Sequence, residues 1–124
     1  MIYLDTHAVI WLYSGNKKLF SKKAIELIEN QSLVISPLVV LEIHYMNEIG
    51  RVNPKSKEII SHLAETCNLS ICRKKYEDIC LKAITFDFTR DPFDRLITAQ
   101  AALNENLILT KDKSILQNYH GAVW

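Results

Sequence analysis

Four acidic residues far apart in the chain, Asp5, Glu42, Asp94 and Asp112, carry the chemistry this sequence can do. Asp5, Asp94 and Asp112 stand where a chain reversal or a helix start is expected, and Glu42 stands within an apolar helix. Two carboxylates ~4 Å apart repel by about 4 kcal/mol at an effective dielectric of 20. Four gathered together would strain a small domain unless protons or a cation compensate. Oxygen ligands without Cys or His select a hard ion, Mg2+ or Mn2+. Such an ion lowers the pKa of bound water and neutralises a phosphoryl oxygen, the equipment of phosphodiester hydrolysis.

Each acid also has a plainer reading. Asp5 and Asp112 suit helix N-caps. Asp94 falls three residues after Asp91, the spacing of a capping box. Glu42 is harder to set aside. It is flanked by Val39, Val40, Leu41, Ile43 and Met46, so its carboxylate must escape to solvent or find a partner.

The elements that position these acids follow from local signals. Met1 to Leu4 reads as a short buried strand ended by Asp5, with a helix from Thr6 to Tyr13 stopped at Ser14-Gly15-Asn16. Ser21 caps the next helix, and Leu33-Val34-Ile35 is a second strand. Ser36-Pro37 and Asp91-Pro92 repeat one device, an N-cap followed by a proline whose missing N–H costs nothing at a first helical position. The Pro37 helix, running to about Ile49, is apolar nearly all round and is expected to be well buried. Asn53-Pro54 is expected to open another helix, and Leu69-Ser70-Ile71 is a weak strand. A helix carrying Tyr76, Ile79, Cys80 and Ala83 follows. Then come the Asp91-Pro92 helix, the strand Leu107 to Thr110, a short turn of helix and a last strand, Ala122 to Trp124. Strands alternating with helices predict a three-layer α/β/α sandwich with a central parallel sheet. Ligands bind beyond the carboxyl ends of such strands.

A chain of 124 residues suits a single domain spanning 1–124. Fifteen basic and fourteen acidic side chains give a net charge of +1, so bulk charge favours no partner class. Cys67, Cys72 and Cys80 match no zinc spacing and read as reduced thiols of a reducing compartment. No apolar run approaches a membrane span, and Asp5 and His7 interrupt any signal-like stretch, so a cytoplasmic protein with no membrane partner is expected.

The ordered set resembles the PIN-domain nucleases, most closely the VapC-like toxins of toxin–antitoxin pairs. The resemblance covers essentially the whole chain. It runs from Leu4-Asp5-Thr6 through Ser36 and Glu42 to Arg90-Asp91-Pro92-Phe93-Asp94-Arg95. Leu107-Ile108-Leu109-Thr110-Lys111-Asp112 and Val123-Trp124 complete it. It implies that Asp5, Glu42, Asp94 and Asp112 are the catalytic, metal-binding acids. Thr110 accompanies the last of them, Thr6 orients Asp5, and Asp91 is an extra acid taken as an N-cap. It further implies a Mg2+ or Mn2+ cofactor, an RNA substrate cleaved to leave a 5′-phosphate, a homodimer, and a small cognate antitoxin protein.

Arg90, Arg95 and Lys111 stand beside these acids as candidates for RNA contact, and Arg95 could instead pair with Asp91 at i+4. His7 lies close enough to Asp5 to reach the site. Trp11, Phe86, Phe88 and Trp124 read as core or subunit contacts. Two other classes compete. A receiver-type signalling domain would need an acidic pair after strand one and an aspartate after the central strand, where this chain has Asp5 alone and Cys72. A non-catalytic α/β interaction domain would have no use for all four acids.

Overall fold

The computed structural model describes all 124 residues. Its centre is a five-stranded, fully parallel sheet of β1 (Ile2–Leu4), β2 (Leu33–Ile35), β3 (Ser70–Ile71), β4 (Leu107–Leu109) and β5 (Ala122–Val123). The order is β3-β2-β1-β4-β5, so the chain works outward from β1 to one edge and then to the other. Tyr3 lies opposite Val34 on one side and Ile108 on the other. β1 and β2 are buried at every position, as a sheet covered on both faces requires.

Seven helices cover the sheet: α1 (Thr6–Ser14), α2 (Lys22–Asn30), α3 (Pro37–Glu48), α4 (Ser56–Cys67), α5 (Tyr76–Ile84), α6 (Pro92–Ala102) and α7 (Lys113–Asn118). A short 3-10 turn, Lys17–Leu19, joins α1 to α2. The main core runs through Ile2, Leu4, Val9, Ile35, Ile43, Ile59, Ile97, Ile108 and Leu109. Both proline-led helices form as expected. Ser36 accepts the Leu38 N–H, and Asp91 accepts the N–H groups of Phe93 and Asp94.

Two expectations need correction. Asn53-Pro54 does not open α4, which starts at Ser56. The Asn47 side-chain amide donates to the carbonyls of Val52, Asn53 and Pro54, and this clamp holds the segment in an irregular turn. α3 is also less buried than its composition suggests. Val39 and Ile43 are in the core, but Leu41 and Tyr45 are more than half exposed. On α5, Tyr76, Leu81 and Ile84 are exposed as well.

Candidate active site

Asp5 is delivered by the end of β1. Its N–H donates to the Leu109 carbonyl at 3.1 Å, extending the sheet by one residue before α1 begins. As the N-cap of α1 it accepts the Thr6 N–H on Oδ1 at 2.7 Å, and Oδ2 accepts the Thr110 hydroxyl at 2.6 Å. Asp5 is only 8% exposed. Glu42 projects from the middle of α3, half-buried, and accepts the Thr6 hydroxyl. Thr6 therefore serves two acids, Asp5 through its backbone and Glu42 through its side chain. The sequence reading linked it to Asp5 alone.

Asp94 lies in the first turn of α6, where a capping box would turn its carboxylate back to the Asp91 N–H. That N–H donates to the Thr89 hydroxyl instead, at 3.1 Å. Asp91 does the capping, at 2.8 and 3.2 Å, and the Asp94 carboxylate is left facing the pocket. Asp112 is the N-cap of α7, accepting the Ile115 N–H at 2.9 Å, while its own N–H donates to Thr110 Oγ1 at 3.0 Å. One buried hydroxyl thus ties Asp5 to Asp112.

Asp5, Glu42, Asp94 and Asp112 line one open cavity of about 520 Å3 with His7, Trp11 and Lys111. The consequence is electrostatic. Burial, then the carboxylates of Asp91, Asp112, Asp5 and Glu42, push the Asp94 carboxyl up to about 7. Burial raises Asp5 above the usual carboxylate range, although Thr110 and Thr6 pull it back. Burial raises Glu42 too, against the pull of the Thr6 hydroxyl. No ion pair relieves them, since the protein's two are His44–Glu48 and Lys75–Glu77, both on the surface. A set of oxygen donors with surplus negative charge suits a hard divalent cation. As they stand, however, no three acid, His or Cys side chains are gathered closely enough to hold an ion.

Arg95 does not make the i+4 pair with Asp91. Its Nε and Nη2 donate to the Ala83 carbonyl at 3.3 and 3.2 Å, not to Asp91, and this pins α6 to α5. Arg90 and Arg95 border a separate hollow with Pro92 and Ile84, outside the acidic cavity. Lys111 does border the cavity. Lys74, part of a basic cluster in the sequence, is turned inward. Its ammonium donates to the Gln100 carbonyl at 2.8 Å and sits 5.1 Å from the Tyr3 ring centre. Trp11 was assigned to packing, yet it forms a wall of the cavity. The available signal was its i+4 spacing from His7 on the helix that Asp5 caps.

Fold and site define a class, an α/β domain with a carboxylate-lined cavity at the carboxyl edge of a parallel sheet. The PIN domain family model matches residues 2–120, and the chain belongs to that family, which is one of nucleases. No curated protein matches the sequence. Among solved structures the chain is similar to one in a toxin–antitoxin complex from Klebsiella pneumoniae, with 18% identity and a TM-score of 0.67, covering 100% of this chain and 97% of that one. It is also similar to one in the VapBC2 complex from Rickettsia felis bound to a DNA fragment from the promoter. The identity there is 15% and the TM-score 0.66, covering 99% of this chain and 96% of that one.

Proposed function

We propose that this single PIN domain is a metal-dependent endoribonuclease and the toxin of a toxin–antitoxin pair. The observation that carries the reading is the cluster of Asp5, Glu42, Asp94 and Asp112 around one cavity with no ion-paired counter-cation. Asp5, Glu42 and Asp94 would hold the Mg2+ or Mn2+, with Asp112 at the margin. The ion supplies a polarised water and neutralises charge on the phosphoryl oxygens. Thr110 and Thr6 hold Asp5 and Glu42 in place, which fixes acids that would otherwise repel one another apart. Asp91 caps α6 and adds negative charge beside Asp94. Lys111 offers the RNA backbone a cation at the rim of the cavity.

The partner assignments rest on separate supports. Both solved structures described above contain a toxin with its antitoxin, which favours a cognate antitoxin here. Leu41 and Tyr45 on α3, and Tyr76, Leu81 and Ile84 on α5, are large apolar side chains left exposed, which favours a homodimer contact through these helices. Three free cysteines favour the reducing cytoplasm, and no helix is long and apolar enough to cross a membrane.

The test is hydrolysis of an unstructured RNA by the purified chain with Mn2+, with excess chelator, and after Asp94→Asn. Cleavage to 5′-phosphate ends only in the first condition supports the reading. Equal cleavage by Asp94→Asn, or none with Mn2+, rejects it.

A further inference from the structure

The acidic cavity has an aromatic wall, and that wall is shared with a second cavity. Trp11 lines both the cavity of the four acids and an adjoining apolar pocket of about 130 Å3, bordered by Leu12, Phe20, Ile25 and Ile28. Two further aromatic rings pack against the indole. Trp124 meets it edge-on with ring centres 5.4 Å apart, and Phe20 meets it edge-on at 6.5 Å. Phe20 and Trp124 stack on each other at 5.2 Å. The Lys111 ammonium lies 5.6 Å from the Trp11 ring centre and 5.5 Å from that of Trp124, while also bordering the acidic cavity.

We infer that Trp11 and the pocket beside it form a nucleobase subsite, in which a base flanking the cleaved phosphodiester lodges against the indole. This rests on the nuclease reading above and names how that site would engage its substrate. A phosphate held among the acids brings its flanking nucleosides with it. Around the cavity the remaining lining is ionisable, with Trp11 its one apolar side chain. Unpaired RNA is recognised largely through bases splayed onto aromatic faces, and every base has a π face to offer. A lysine held over aromatic rings at the same edge can meet the adjoining phosphate without leaving them.

The rim of the apolar pocket supplies the polar groups a base edge needs. Asn16 spends its side-chain oxygen on the Lys18 N–H at 3.1 Å, which leaves its amide NH2 as a donor. Asn16, Lys17 and Glu29 all stand at that rim. An apolar slot with a few donors and acceptors at its mouth is the usual form of a site for a flat, polar-edged ligand. The competing view is a packing cluster that only ties the C-terminal Trp124 to α1 and the Phe20 segment. On that view the rings affect stability and leave nucleotide preference untouched.

The test separates these views. The cleaved bond is first mapped in an unstructured RNA with the parent protein and Mn2+. Short oligoribonucleotides spanning that bond, intact or with one flanking base replaced by an abasic ribose, are then bound to Asp94→Asn protein and followed by fluorescence anisotropy. Loss of one flanking base is expected to weaken binding by about 10-fold or more. Adding Trp11→Leu should weaken the intact RNA by a similar factor and make intact and abasic RNA bind alike, and Trp11→Phe should restore the difference. Equal binding of intact and abasic RNA before any change at Trp11 overturns the inference. So does a Trp11→Leu protein that still distinguishes them fully. If RNA cleavage persists in the parent under either result, the nuclease reading stands alone. A parent that neither cleaves nor binds RNA removes both.

Discussion

Asp94→Asn should make the metal-free protein more stable at neutral pH, although it alters a residue in the first turn of a helix. The cap of α6 is Asp91, and the Asp94 backbone still donates to it. The Thr98 hydroxyl uses the Asp94 carbonyl, which an amide side chain leaves in place. What is lost is a charge held against Asp91, Asp112, Asp5 and Glu42. In the folded protein burial first, and these neighbours second, keep the proton on Asp94 up to about 7, against 3.8 for the free group. The unfolded chain therefore releases that proton first as pH rises, so the parent loses stability between about pH 4 and 7 and stays lower above. Three pH units correspond to about 4 kcal/mol at full effect. Because Asp94 is only half-buried, solvent screening reduces this to about 1–2 kcal/mol. Urea denaturation in chelator at about pH 3.5 and about pH 8, on either side of that window, measures both proteins. The gain from Asp94→Asn should be near zero at the acid end and about 1–2 kcal/mol at the alkaline end. A variant less stable than the parent at the alkaline end would refute the idea that Asp94 carries unrelieved repulsion.

Glu42→Gln should leave the metal-free protein as stable as the parent, or more stable by on the order of 1 kcal/mol. The amide oxygen can still accept the Thr6 hydroxyl, and chemical denaturation in chelator reads the difference. The same variant should lose part of the rise in melting temperature that Mn2+ gives the parent, read by a thermal scan with and without the ion. Thr110→Val should cost about 2–3 kcal/mol, because it strips a hydrogen bond from buried Asp5 and leaves the Asp112 N–H without its acceptor. Urea denaturation checks this, and an unchanged midpoint would contradict the bridging role given to the hydroxyl.

The features that could be read from the sequence are those written in adjacent residues. Ser36-Pro37 and Asp91-Pro92 mark their helix starts because cap and proline act within one turn. The apolar run Leu33-Val34-Ile35, with β-branched Val34 and Ile35, marks a buried strand. That Asp5 and Asp112 share the carboxyl edge was legible because each ends a strand of a parallel sheet, whereas the adjacency of β1 and β4 was not. What was hidden depends on contacts across the fold. Nothing local to Asn53-Pro54 reveals that Asn47 claims its carbonyls. Arg95 reaches back to Ala83 on the neighbouring helix, a choice made by the packing of α5 on α6. The apolar composition of α3 does not distinguish a face buried in the core from a face left outside, as at Leu41 and Tyr45. The double role of Trp11 follows from the placement of Trp124 against it, more than a hundred residues later in the chain.

The most direct measurement is anomalous diffraction at the manganese edge from crystals soaked in Mn2+. The expected result is a strong anomalous peak in the cavity bounded by Asp5, Glu42 and Asp94, with at least two of these carboxylates turned onto it at about 2.0–2.3 Å, the range for hard divalent ions and oxygen ligands. The peak should be absent from Asp94→Asn crystals grown in the same way. A well-diffracting parent crystal with an empty cavity, or with its only peak elsewhere, would contradict the cation site on which the nuclease reading depends.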